Sequence, residues 1–310
     1  MSQTMPQETD APALSLADRF SQVRAFTKQL VAPLAPEDCC LQSMTEASPI
    51  RWHLAHTTWF FEQFVLRETP GYAPFHEHYE VLFNSYYNSV GEQFPRARRG
   101  LLSRPTLAEV ADYRAYVEEA LLERMEQGVV NPEGPAGRVI ELGIQHEQQH
   151  QELILTDLKH LFSFNPLLPA YQEAAGESFD EQPVEASWIE FEEGIFEIGY
   201  QGDDFAYDNE SPIHRVLLTP YCLASRPVTN REYLRFIEDG GYEKPELWLS
   251  LGWNHLQVQQ RRRPLYWFPR DDGWHEFDIF DTEEEAREES DGKYEITPEV
   301  QAFDKKEYAI

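Results

Sequence analysis

Cysteine, lysine and long apolar runs are what this 310-residue sequence has least of. Three cysteines, Cys39, Cys40 and Cys222, two of them adjacent, cannot form a disulfide framework, so a reducing compartment, the cytoplasm, is expected. No apolar stretch reaches the ~18 residues that a spanning helix needs, which excludes a membrane-crossing helix. Residues 1–10 are polar and acidic and lack the basic start and apolar core of a signal peptide. Positive charge is scarce as well: 26 Lys and Arg stand against 55 Asp and Glu, a formal net charge of −29, and only six of the basic residues are lysines. Such a surface repels phosphate backbones and anionic lipid, so neither nucleic acid nor a membrane is an expected partner.

What is present is a globular composition, 41% hydrophobic and 13% aromatic, at a length that accommodates two domains. Leu14, Leu16, Phe20, Val23, Phe26 and Leu30 fall at helical spacing and predict a first amphipathic helix over 14–34. Ser48-Pro49, a capping serine before a first-turn proline, opens a second helix that runs to Arg67 and carries Trp52, Trp59, Phe60, Phe61 and Phe64. An aromatic-rich excursion fills 68–104, and a segment that long inside a compact domain points to function. Thr106 is placed to cap a third helix ending near Gln127; Pro132, Gly134, Pro135 and Gly137 then break the chain before a fourth helix over 138–163. Four helices with one long crossover between the second and third describe a bundle over 14–163, an architecture whose metal sites form between facing helices.

A Pro-, Gly- and acid-rich linker covers 164–184. Beyond it the periodicity changes. Trp188–Phe191, Gly194–Gly199 and His214–Leu218 alternate as short strands, and Thr229–Glu238 reads as one helix closed by Gly240-Gly241, so 185–280 is expected to be a mixed α+β domain. Residues 281–310 hold eleven acidic against four basic residues and few large apolar ones, the composition of a solvated acidic tail.

The chemistry concentrates in His146-Glu147-Gln148-Gln149-His150. Histidines four apart on a helix share a face and can converge on one ion, and a third from the pair His53 and His56 on the second helix would complete an all-nitrogen site. On a helical wheel with His146 at the origin, His150 falls at about 40° and Leu153 at about −20°, a stripe expected to face the bundle core, while Glu147 and Glu152 point away from it. An imidazole-only site with open positions suits zinc or iron, and the ligands alone do not decide between them. The same segment fits the H-E-x-x-H pattern of zinc peptidases, with Glu147 as general base and Glu173 as the downstream ligand by distance. Glu173 lies in the linker rather than on a helix, which weakens that reading.

Three ordered segments resemble the ergothioneine-biosynthetic sulfoxide synthases, the EgtB family: Ser48-Pro49-Ile50-Arg51-Trp52-His53-Leu54-Ala55-His56-Thr57-Thr58-Trp59-Phe60-Phe61-Glu62, then Asn84-Ser85-Tyr86-Tyr87-Asn88-Ser89-Val90-Gly91 with Pro95-Arg96-Ala97-Arg98-Arg99-Gly100-Leu101-Leu102, and finally HEQQHQE at 146–152. The resemblance covers roughly 14–275. It implies a DinB-like bundle binding Fe(II) through His56, His146 and His150, with His53 a neighbour on the helix. The implied reaction joins the sulfur of cysteine or γ-glutamylcysteine to C2 of hercynine (trimethylhistidine), consumes O2 and yields a sulfoxide. Arg96 and Arg99 are then expected to bind a substrate carboxylate bidentately, Gln149 to hydrogen-bond the substrate imidazole, and Tyr86 or Tyr87 to pass a proton or electron. Without the resemblance both tyrosines read as aromatic packing.

The second domain resembles the first half of the formylglycine-generating-enzyme-like (C-type-lectin-like) fold, through Gly194–Gly199, Asp208-Asn209-Glu210 with His214, and Val228–Tyr233. Asn209 and Glu210 read as structural there. The family's later Arg-Leu-Pro-Thr-Glu-Ala-Glu-Trp and Gly-Asn-Val-Trp-Glu-Trp-type segments do not occur, so the sequence reads as a C-terminally truncated member with impaired activity and exposed apolar surface, for which a complementing chain is a further expected partner. Three other readings stand beside it: a DinB-like divalent-metal thiol transferase, the zinc hydrolase, and an inactive or split metal-binding remnant.

Overall fold

The computed structural model describes residues 14–172, 185–270 and 273–279. The proposed acidic tail, Glu173 and most of the linker lie outside the described residues. The chain divides into two units between Tyr171 and Gln172. Among the described residues no helix is long and apolar enough to cross a membrane.

The first unit is a helical bundle built from α1 (Leu16–Val31), α2 (Ile50–Phe64), α4 (Leu107–Glu126) and α5 (Pro135–Phe162), with the four-residue helix α3 (Tyr79–Leu82) in the crossover. α1 packs on α5, and α2 packs on both α4 and α5. Two starts follow the local rules. Thr106 and Glu109 form a reciprocal capping box on α4, and Pro135 occupies the first turn of α5, where its missing N–H costs nothing. α2 departs from expectation: Pro49 is its N-cap residue, and Ser48 caps nothing. The Ser48 N–H donates to Asp157 on α5 at 2.9 Å and its hydroxyl accepts from Arg99, so the side chain is drawn across the bundle instead of back onto its own helix.

The buried face of α1 is Phe20, Arg24 and Thr27, while Leu14 and Phe26 of the expected stripe are exposed. The reason is a buried carboxylate. Glu147 of α5 is fully buried, and its two oxygens accept from Arg24 (2.9 Å), Arg114 of α4 (2.9 Å) and the Thr27 hydroxyl (2.7 Å). Arg24 also donates to Thr58 of α2 and to Glu118 of α4, and Arg114 to the Leu54 carbonyl of α2. This corrects the expected helical wheel. The buried residues Ile140, Ile144, Glu147, Gln151, Ile154 and Leu158 centre the inward face of α5 at about 120° from His146. Glu147 lies within about 20° of that centre, the histidines stand at its edge, and Leu153 is exposed. Glu152 points outward as expected.

A second carboxylate holds the crossover. Buried Glu62 accepts from Tyr72 Oη (2.6 Å), Phe75 N (2.9 Å) and Tyr113 Oη (2.7 Å), tying the loop to α2 and α4. Between α2 and α5 the contact is close. A Cβ added at Gly143 would stand 2.4 Å from Phe61 Cε1 and 2.9 Å from Phe60 Cε1.

Among its described residues the second unit carries three two-stranded antiparallel sheets: β1 (Trp188–Phe191) with β4 (Tyr221–Ala224), β2 (Gly194–Ile198) with β3 (His214–Leu218), and β5 (Trp267–Arg270) with β6 (Gly273–Glu276). Phe191 and Tyr221 pair across the first and stack. Helix α6 (Asn230–Glu238) begins with the capping box of Thr229 and Glu232, reinforced by Arg226 on Glu232. The expected strands β1, β2 and β3 and helix α6 are therefore present; β4, α7 (Ser250–Gln259) and the β5–β6 pair had no counterpart in the sequence reading. Trp188, Ile195, Leu217 and Leu223 are exposed.

The Glu147 cluster predicts acid sensitivity. Burial pushes this carboxyl up, but Arg24 and Arg114, with hydrogen bonds from Arg24 and Thr27, bring it down to about 2 from an ordinary 4.5. Its contribution, on the order of 3 kcal/mol, is therefore complete above pH 4.5 and is lost as the pH falls toward 2. Urea denaturation between pH 7 and 3 is expected to follow that decline, and Glu147→Gln, which leaves two buried cations unmatched, is expected to destabilise by roughly 3–5 kcal/mol at neutral pH.

Candidate metal centre

His56, His146 and His150 each offer one nitrogen, and the three atoms lie within 4.8 Å of one another. The sequence spacing explains the convergence: two histidines one turn apart on α5 face one on α2. Buried His56 and His150 and half-buried His146 are kept neutral by their surroundings. Burial, then neighbouring His146, pushes His56 well below the usual imidazole range, and burial, then His53, does the same to His150. Burial lowers His146 to about 4, against the opposing pull of Glu147. Neutral imidazole is the form that coordinates a metal.

The rings are also held in orientation. His56 lies between Trp52 (4.5 Å between centroids, 13° between planes) and Trp59 (5.5 Å, 15°), its neighbours one turn either side on α2. The Arg99 guanidinium covers the outer face of Trp52 at 3.4 Å. His56 Nδ1 lies 2.6 Å from the Phe83 carbonyl and so donates to it, leaving Nε2 as the lone-pair nitrogen. His150 Nδ1 is 2.7 Å from Nδ1 of buried His53, whose Nε2 is 3.0 Å from Asp157. His146 Nδ1 is buried without a hydrogen-bond partner. Three neutral nitrogens with two of the rings locked fit a divalent first-row cation.

The other expected site residues separate into two groups. Arg99 is buried and donates to Ser48 Oγ (2.9 Å) and Ser85 Oγ (3.1 Å); its Nε has no partner, and among the described residues no carboxylate pairs with it. Burial, and then Arg96, lowers this guanidinium to about 10. Tyr87 is half-buried against Trp59, Phe60 and Phe64, and burial raises its phenol. Phe60 in turn touches His146. Arg96, Tyr86 and Gln149 are exposed: Arg96 donates to Tyr86 Oη at 2.5 Å and to the Glu46 carbonyl, and Tyr86 is 72% exposed. Asn84, with no exposed surface, ties Tyr87, Gly91 and Glu92 through their backbones and so fixes the turn that presents both tyrosines. Both Glu147 oxygens are taken by Arg24, Arg114 and Thr27, which removes the general base of the zinc-hydrolase reading.

Sequence reasoning passed over three residues of this site: the Trp52 and Trp59 clamp and Asp157. Indoles at −4 and +3 from a helical ligand were a legible signal; an acidic residue one or two turns after the second α5 histidine was a weaker one.

Residues 19–154 match the DinB superfamily and residues 175–309 match the sulfatase-modifying factor enzyme 1-like domain. The chain thus belongs to the proteins that carry a DinB-type helical domain followed by a sulfatase-modifying-factor-like one. Among curated proteins it is 30% identical over 258 residues to a hercynine oxygenase of Mycolicibacterium smegmatis, covering 82% of this chain and 57% of that protein. It is 31% identical over 258 residues to that of Mycobacterium tuberculosis, with 81% and 57% covered. Ergothioneine biosynthesis protein 1 of Neurospora crassa is 27% identical over 160 residues, 47% of this chain and 18% of that protein. These are homologues of the ergothioneine-biosynthetic type that the motifs resemble. The chain spans 57% of the length of the hercynine oxygenases it matches.

An unpaired cation buried against Trp52 costs stability that a neutral side chain does not. Arg99→Met is expected to raise the stability of the metal-free protein by ~1 kcal/mol, measured as the midpoint of urea unfolding; a loss of stability would show that the stacking and the two serine bonds outweigh the burial cost.

Proposed function

We propose that this protein is a non-haem iron(II) oxygenase of ergothioneine synthesis, joining the sulfur of cysteine or γ-glutamylcysteine to C2 of hercynine. The balance is one C2–H and one S–H lost, a C–S bond formed, one oxygen atom of O2 placed on sulfur and the other released as water. The observation that carries the reading is the triad of neutral histidines, two of them held in orientation, with an unmatched cation built in beside Trp52. The names of the homologues support the substrate class.

In this reading His56, His146 and His150 would hold iron(II), which when bound would supply the Lewis-acid and redox chemistry that the reaction of thiol, imidazole and O2 needs. Arg99 receives a substrate carboxylate, which satisfies its orphan Nε and supplies the missing counter-charge. Arg96, one turn away on the surface, is the second carboxylate donor. Tyr87 is the proton-donating phenol: burial keeps it protonated, and one aromatic layer of Trp59 and Phe60 separates it from the triad. Tyr86 serves by holding Arg96. Gln149 hydrogen-bonds the incoming imidazole from the solvent side. A DinB-like thiol transferase would use the same three histidines and the same thiol without consuming O2.

Anaerobic loading with Fe(II), followed by O2 uptake and product mass with hercynine and each thiol, decides between these readings. Sulfoxide formation with O2 consumed is expected. His56→Ala, His146→Ala and His150→Ala are each expected to weaken metal binding by more than the roughly 10–100-fold that loss of an outer hydrogen-bond partner costs, and to abolish turnover. Tight iron binding with no O2 uptake on either thiol would sink the oxygenase reading.

A further inference from the structure

His53 is buried, lies within 2.7 Å of one member of the triad and is not itself part of it. We propose that His53 is a positioning residue which, with Asp157, fixes the tautomer and ring plane of His150 so that the His150 Nε2 lone pair is turned toward the metal. The inference rests on the metal-centre reading of the triad and deepens it.

The assignment follows from donor and acceptor roles along one chain of contacts. Asp157 Oδ2 receives the Ser48 N–H at 2.9 Å, and an amide nitrogen can only donate, so this oxygen is an acceptor held by backbone at the start of α2. The His53 Nε2, 3.0 Å from the same oxygen, is therefore the protonated nitrogen of its ring. In a neutral imidazole the other nitrogen is then an acceptor. His53 Nδ1 thus accepts, and the atom facing it at 2.7 Å, His150 Nδ1, donates. That places the His150 proton on Nδ1 and leaves Nε2 free to coordinate. With the proton of His53 on Nδ1 instead, the relay reverses, His150 is protonated on Nε2, and its coordinating nitrogen is blocked.

Comparison with His56 shows what this device supplies. His56 obtains the same outcome from a backbone carbonyl, that of Phe83, and from two indole faces. His150 is tilted 47° from Trp52 and 58° from His53, so no flat stack restrains it, and His53 supplies its acceptor. Outer partners of this kind orient a ligating imidazole and raise its basicity.

The test reads tautomer and metal affinity rather than turnover. In long-range 15N–1H spectra of the metal-free wild-type protein, His150 is expected as the Nδ1–H tautomer and His53 as Nε2–H. Cobalt(II) titration with a competing chelator is expected to show His53→Leu weaker than wild type by roughly 10–100-fold. His53→Gln, whose amide retains one acceptor and one donor, is expected to recover most of that loss. Circular dichroism and urea unfolding establish that each variant is folded. His150 protonated on Nε2 in the wild-type spectrum would overturn the inference without any variant, and so would folded His53→Leu binding cobalt as tightly as wild type. Failure of the wild-type protein to bind any divalent metal would instead sink the metal-centre reading, while the tautomer spectrum would still report on the pairing itself.

Discussion

The helical unit is organised around one buried carboxylate. Glu147 draws donors from α1 and α4, and those donors reach on to α2, so all four long helices meet through a single ionised group. A lone buried carboxylate is costly, and two guanidinia with a hydroxyl offset that cost only in one relative placement of the helices. The hydrophobic contacts around it are more permissive, since apolar side chains slide and repack at small cost. Polar satisfaction therefore fixes the rotation of α5, and with it the placement of His146 and His150 at the edge of the inward face rather than at its centre.

Edge placement suits a reactive site. Residues at the centre of the inward face of α5 are closed off by other helices, whereas residues at its edge keep one side toward the crossover and solvent. His56, on α2, is buried and clamped; His146 and His150 lie opposite it, and the excursion between α2 and α4 brings Asn84, Ser85, Tyr87 and Arg99 into the same neighbourhood. The long crossover is held by Glu62 from below and by Asn84 within, so it is a built wall whose backbone is pinned through buried hydrogen bonds, much as the helices are.

Much of this was legible in the sequence, and the failures have a common cause. The four long helices of the bundle, the Thr106 cap, the helix that follows Thr229, strands β1, β2 and β3, and the meeting of two α5 histidines with one from α2 follow from local signals that the structure obeys, whereas Pro135, expected to break the chain before α5, stands in its first turn. The misjudged points were places where a polar residue took an apolar residue's position: Arg24 instead of Phe26 on the buried side of α1, Glu147 instead of Leu153 on α5, and Ser48 reaching to Asp157 and Arg99 instead of capping α2. Hydrophobic periodicity has no means of marking a buried ion cluster, because the pairing that makes burial tolerable joins residues of different helices, 33 to 123 positions apart. His53 was visible as a histidine, but its partner Asp157 is identified only once α2 and α5 lie antiparallel.

Gly143 gives the arrangement a gauge. It stands one turn before His146 on the face of α5 that meets α2, where the Phe60 and Phe61 rings fill the space that a methyl group would need. Phe60 also presses on the His146 ring. The distance across which one helix's imidazole meets the other's is thus set by the absence of a side chain, and the bite of the triad is a mechanical property of the helix pair, calibrated by the smallest residue in the chain. An added methyl would have to be met by a shift of the Phe60 and Phe61 rings, and so of the spacing between the imidazoles that face one another across the two helices.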